Sequence, residues 1–230
     1  MARKGGRNTR QGEVTTLPER GLRDIAFLVA DSGMVEMLRG FLGRPHPGRR
    51  LGCGGFTFDM TQDLVVAPTR DSGVYHSARE LLRPYERSHR RAVVMLDNAW
   101  EGSPGVSKIE MRIAEALTDV WEYFVVIVIE PELEAWIWQD NPNVANALKC
   151  RSDFRDVLQR HGHWPEGATK PPDPKAALDH LRRRHGADRS NAAFRRLAAG
   201  ISVAGCVDPA FIRLRDTLRG WFGNTAPGVT

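Results

Sequence analysis

The stretch "VVIVIEPELEAWIWQD" at 125–140 runs five apolar residues directly into Glu130, Glu132 and Glu134, then adds Trp136 and Trp138. Carboxylates at the end of a buried segment are costly unless something neutralises or pairs with them. Two other apolar runs end the same way, Ala30 being followed by Asp31 and Leu96 by Asp97. If each run is a strand of one parallel sheet, these acids share its carboxyl edge, where open α/β sheets bind ligands. Clustered carboxylates repel one another, and a hard divalent cation, Mg2+ or Mn2+, makes such a group tolerable. The cation would polarise a phosphoryl oxygen or supply hydroxide.

The candidate ligands are therefore Asp31, Asp97, Glu130 and Glu134, with Asp97, Glu101 and Glu130 as candidate catalytic residues. Each has a plainer structural role beside the chemical one. Asp31 opens "DSG" ahead of a helical pattern and serves equally well as a helix cap. Pro131 suits the first position of a helix, so Glu130 is a candidate N-cap and would share a face with Glu134. Glu132 would point elsewhere and complement the helix dipole. Asp97 meets the loop "NAWEGSPG", with Glu101 four residues on, although that loop is also a good turn sequence. "RDSG" at 70–73 repeats the turn, with Arg70 to hold a phosphate and Asp71 a metal, or both simply to start a helix.

Other constellations are weaker. Cys150, His161 and His163 match no familiar zinc spacing. His76 with Asp71 is either a base pair or a surface histidine near an acid. No GxSxG, P-loop or GxGxxG is present, and "GCGG" at 52–55 opens no helix.

Positioning these acids requires strands alternating with helices. A short apolar run at 24–30 reads as a strand, and Met34, Met37, Leu38, Phe41 and Leu42 then recur at helical spacing until Gly43 and Pro45. "FTFDM" and "LVVAP" read as short strands or two rims of one irregular region. A helix over 72–85, a strand over 91–97, an amphipathic helix bearing Ile109, Ile113, Ala116 and Leu117, and a strand over 123–129 follow. This alternation predicts an α/β fold with a mainly parallel sheet covered on both faces. From 143 onward only helices are expected, at 144–149, 152–161, 174–185, 190–199 and 208–222. The expected organisation is a mobile basic arm (1–23), an α/β domain (24–142), a helical domain packed on it (143–222) and a frayed tail (223–230).

With 41% apolar and 27% charged residues, the 230-residue chain has the composition of a soluble globular protein. No apolar run approaches the roughly 20 residues of a membrane span, so no membrane partner is expected. The first residues lack the apolar core of a secretory signal. Three scattered cysteines suit reduced thiols and a cytoplasmic location. Residues 149–222 hold 15 Lys/Arg against 8 Asp/Glu, and the rest of the chain holds 18 against 20. This basic rear part either meets nucleic acid, with Arg70, Lys170, Lys175, Arg182 and Arg183 as candidate contacts, or solvates exposed helix faces.

"FLVADSGMVEMLRGFL", "VVMLDNAWEGSPG", "VIEPELEAWIWQD", "KPPDPKAALDHL" and "CVDPAFIRLRDTL" fall in an order that resembles a bacterial family with a Toprim-like α/β domain and a helical tail. In particular the chain is similar, over most of 24–222, to a small component of the methylation-associated anti-phage defence system. Toprim domains of topoisomerases, primases and overcoming-lysogenisation-defect nucleases use a glutamate after the first strand and an aspartate pair after a later strand for metal-dependent phosphodiester chemistry. Carried over, Asp97 matches the first aspartate, Ala99 stands at the second, and the glutamate falls at Ala30 beside Asp31. The resemblance implies an anti-phage component, either a Mg2+- or Mn2+-dependent nuclease or a non-catalytic nucleic-acid-binding or assembly subunit on a degenerate Toprim scaffold. It also implies nucleic acid and other subunits of the same system as partners.

Overall fold

The computed structural model describes residues 21–43, 47–138, 141, 143–200 and 206–223. The expected arm up to residue 20 and the expected tail from 224 lie outside the described residues.

Four strands form one parallel sheet in the order β2-β1-β3-β4: β1 (Ala26–Val29), β2 (Leu64–Val66), β3 (Arg91–Asp97) and β4 (Tyr123–Ile129). The inner runs are apolar on both sides of the pleat and buried throughout β1 and most of β3 and β4, as crossover helices on both faces require. Each fully buried Val, Leu or Ile contributes roughly 1.5–3 kcal/mol. Sheet formation therefore has ample driving force to hold unfavourable groups at its ends. β2 is short, with Val66 exposed. "FTFDM" forms no strand. Its backbone is held by side chains instead, Thr57 donating its N–H and hydroxyl to Asp24 Oδ2 at 2.8 Å. Phe58 sets its ring edge-on to Phe27, 5.3 Å between centroids.

The helices are α1 (Ser32–Leu42), α2 (Arg70–Leu82), α3 (Val106–Leu117), α4 (Asn143–Leu148), α5 (Phe154–Arg160), α6 (Pro174–Arg184), α7 (Ala192–Gly200) and α8 (Pro209–Phe222). Every helix or strand described after residue 143 is a helix. α2 and α3 pack together against β1, β3 and β4. α1 instead joins α7, and Phe41 on α1 meets Phe211 on α8 at 5.7 Å between ring centroids. The α1–α7 approach needs a glycine: a Cβ on Gly40 would stand 2.5 Å from Ala198 Cβ and from the Arg195 carbonyl oxygen. One continuous apolar core runs from Ile25 in the first strand region to Leu218 in α8.

The strand order sets the site. Crossovers in parallel sheets are right-handed. β1 connects through α1 toward one side of the sheet, whereas β3 connects through α3 toward the other. The crevice between the carboxyl ends of β1 and β3 is thus the switch point of a doubly wound sheet. Val29 is in register with Met95, and Asp31 and Asp97 each follow their partner by two residues.

Candidate functional site

Asp97 ends β3, and its Oδ1 is shut away from solvent without a hydrogen-bond partner. Burial drives its carboxyl pKa well above the usual range, and the charges of Asp71, Asp31, Glu134 and Glu132 push it further the same way. Five carboxylates from four separate chain segments thus act on one crevice.

Local structure accounts for each. Asp31 caps α1, accepting the Met34 N–H at 3.0 Å. Asp71, in the first turn of α2, accepts the Asp97 N–H at 2.8 Å and so ties the start of α2 to the end of β3. Burial raises its pKa as well. Glu132 caps, and Glu134 lies in, a 3-10 turn, Leu133–Trp136, that packs against α6 and reaches the start of α1 through Leu133. Gly33 permits that approach, since a Cβ there would lie 3.2 Å from both Leu133 Cδ2 and Asp31 Oδ1. Burial, then the Glu132 charge, raises Glu134. Glu132 is nearly covered and accepts a 3.0 Å hydrogen bond from Lys175 Nζ. The Lys175 ammonium is correspondingly raised, chiefly by that bond. Its charge opposes the acids at Glu132 and Glu134, and that of Arg70 opposes Asp71.

The two indoles serve the same turn. Trp136 Nε1 donates to Asp208 Oδ1 at 3.0 Å and Trp138 Nε1 to the Pro174 carbonyl at 3.1 Å. Asp208 caps α8 and also accepts from Lys170 at 3.1 Å, so the turn is fastened to α8 and, through Pro174, to α6.

The structure sets Asp31 and Glu134 near enough to Asp97 for their charges to act on it, although the three do not close into a group within 4.8 Å, and it sends Glu130 and Glu101 elsewhere. The expected helix starting at Pro131 does not form. The Asn98 and Ala99 N–H groups donate to the Pro131 carbonyl at 3.1 and 2.8 Å, which prolongs the β3–β4 pairing past the strand ends. The Glu130–Pro131 peptide is cis. The cap position falls at Glu132 instead. Glu130 is exposed and accepts from Asn98 Nδ2 at 2.9 and 3.1 Å. It borders a separate cleft of about 160 Å³ between α3 and α8, beside Glu110 and Arg213. Glu101 is exposed in the loop, and neither it nor Glu130 is among the chief charges acting on Asp97.

Among the candidate nucleic-acid contacts, Arg70 is exposed at the start of α2, Lys175 is 60% exposed and Arg183 65%. Lys170 is committed to Asp208, and Arg182 donates to the Asp188 carbonyl at 3.1 Å beside Asp179. The local sequence favours Glu130 as a ligand over Asp71 and Glu132, yet the chief charges acting on Asp97 include those of Asp71 and Glu132 and not that of Glu130. The repeated "DSG" after β1 and β2 was the available signal for Asp71, because both strands point the same way.

Among the described residues no helix is long and apolar enough to cross a membrane. Fold and crevice together define a doubly wound α/β protein with an acid-lined switch point. No family model matches the chain, and no curated protein or solved structure matches it either.

Proposed function

We propose that the crevice binds a divalent cation, Mg2+ or Mn2+, for phosphodiester hydrolysis on a Toprim-like scaffold within a bacterial anti-phage system. The carrying observation is the Asp97 carboxylate: a buried oxygen without a partner, acted on by the charges of four further acids, with Lys175 and Arg70 as the opposing cations. An all-oxygen donor set suits a hard cation. Asp97, Asp31, Glu134 and Asp71 would hold it, and it would supply Lewis-acid activation of a phosphoryl oxygen or of water. These carboxylates must draw inward to share one ion, since among the described residues the one ligand group mutually within 4.8 Å is made of histidines. Lys175 and Arg70, exposed near the acids, would meet the phosphate backbone, and Arg183 on α6 would extend that contact. Such contacts weaken as salt rises.

The test is Mn2+ binding by calorimetry together with cleavage of single- and double-stranded DNA and RNA. Mn2+ that binds the parent and binds Asp97→Asn at least about tenfold more weakly, with cleavage lost in the variant, supports the proposal. Cleavage untouched by Asp97→Asn rejects it.

Ala99 favours a second reading. It is exposed where the resemblance expects the second aspartate. A non-catalytic binding or assembly subunit would bind nucleic acid or other subunits of its system undiminished in chelator, with no turnover under any metal.

A further inference from the structure

A second cluster lies away from the crevice. His161 caps the C-terminal end of α5, His180 sits in α6, and His185 caps the end of α6. One ring nitrogen from each lies within 4.8 Å of the other two. The imidazole of His180 is central, 4.7 Å from His161 and 5.4 Å from His185 between ring centroids, with His163 at 4.6 Å. His180 Nε2 is buried and has no hydrogen-bond partner.

We infer that His161, His180 and His185 form a binding site for a borderline divalent transition metal, of which Zn2+ is the model, that clips α5 to α6. Three imidazoles without a carboxylate or thiolate select Zn2+-class ions over Mg2+ or Mn2+. Ligands at 2.0–2.1 Å from a tetrahedral ion stand about 3.4 Å apart, so modest side-chain rotations close the present arrangement. His163, 4.6 Å from His180 between ring centroids, is available for the fourth position. The scaffold already holds the ligands in place: α5 packs on α6, and the connection between them is tied by Trp164 Nε1 donating to the Ala168 carbonyl at 2.8 Å. Cys150 stays outside the group. Its thiol is pushed up to about 11 by burial.

The experiment titrates the full chain, stripped by chelator, with Co2+ followed by visible absorption and with Zn2+ followed by calorimetry. One Zn2+ per chain, a four-coordinate Co2+ spectrum, and an affinity reduced at least about tenfold in both His180→Ala and His161→Ala support the site. The His161 side chain is exposed, so its removal leaves the fold intact. Unchanged Zn2+ affinity in both variants, or only the weak spectrum of six-coordinate Co2+, overturns it. Loss of the spectrum in Asp97→Asn with retention in the histidine variants also overturns it, by moving the ion to the crevice.

Discussion

Asp63 and Asp97 both hold their carboxylates against the same sheet, one at each end. Asp63, just ahead of β2, has no exposed surface. It accepts hydrogen bonds from Arg23 Nε and Nη2, from the Asp59 N–H at 2.6 Å and from His89 Nε2 at 2.9 Å. Burial pushes its pKa up, but these bonds outweigh burial and leave it lowered. Asp97 has the burial without the donors and is raised. A buried acid surrounded by its own partners is a structural fastening. One left among other acids, at the edge where ligands of such sheets bind, marks a place prepared for something positive.

This contrast predicts opposite responses to mutation. Asp63→Ala should cost about 3–5 kcal/mol, because it strands the groups that bond to it. Asp97→Asn should cost nothing or stabilise slightly, since it relieves repulsion. Denaturant unfolding measures both, and equal losses at the two sites would break the comparison.

Next in size is the response to the ion. Mn2+ at about 100 times its Kd should raise the unfolding free energy of the parent by about 2.7 kcal/mol and that of Asp97→Asn by far less. Thermal unfolding with and without chelator reads the difference.

A smaller effect is expected from pH. The folded-state pKa values of Asp97, Glu134 and Asp71 are raised. Their protonation favours the fold. That contribution is fully present below their unfolded values, about 3.9 for Asp and 4.3 for Glu, and is lost as pH climbs through the raised folded values. Asp63 is lowered, so its contribution is present above about 3.9 and is lost as pH falls through its folded value. Without added metal, the stability these groups confer should therefore be higher in mild acid than at neutral pH and fall again in strong acid. Asp97→Asn should flatten the mild-acid gain, and an unchanged profile would contradict the assignment.

The smallest effect separates two neighbouring glutamates. Glu130→Gln should leave stability within about 0.5 kcal/mol and Mn2+ affinity unchanged, whereas Glu134→Gln should weaken Mn2+ binding. Calorimetry on the two variants decides which side of the turn faces the crevice.

Much of the architecture was legible in the chain. The inner strands and the helices carry their apolar residues at the spacing of their own secondary structure, which is a local property. The acids that end β1 and β3 could be placed on one edge because parallel strands all finish on the same side. Which glutamate follows β4 into the crevice was not legible. Pro131 looks like a helix start to its immediate neighbours, yet its carbonyl is claimed by Asn98 and Ala99, more than thirty residues away. Delaying the cap from Glu130 to Glu132 turned Glu130 outward toward Asn98 and brought Glu132 to Lys175. "FTFDM" likewise has a strand's alternation, but Asp24 takes its backbone donor.

The amino-acid order by itself determined the alternation of elements and the acids at the ends of the inner strands, because apolar periodicity and strand direction are set by adjacent residues. Only the tertiary structure decided which carboxylates share the crevice and that His161 meets His180 and His185. Those meetings depend on long-range hydrogen bonds and helix packing, whose partners lie too far apart in the chain to leave a local signature.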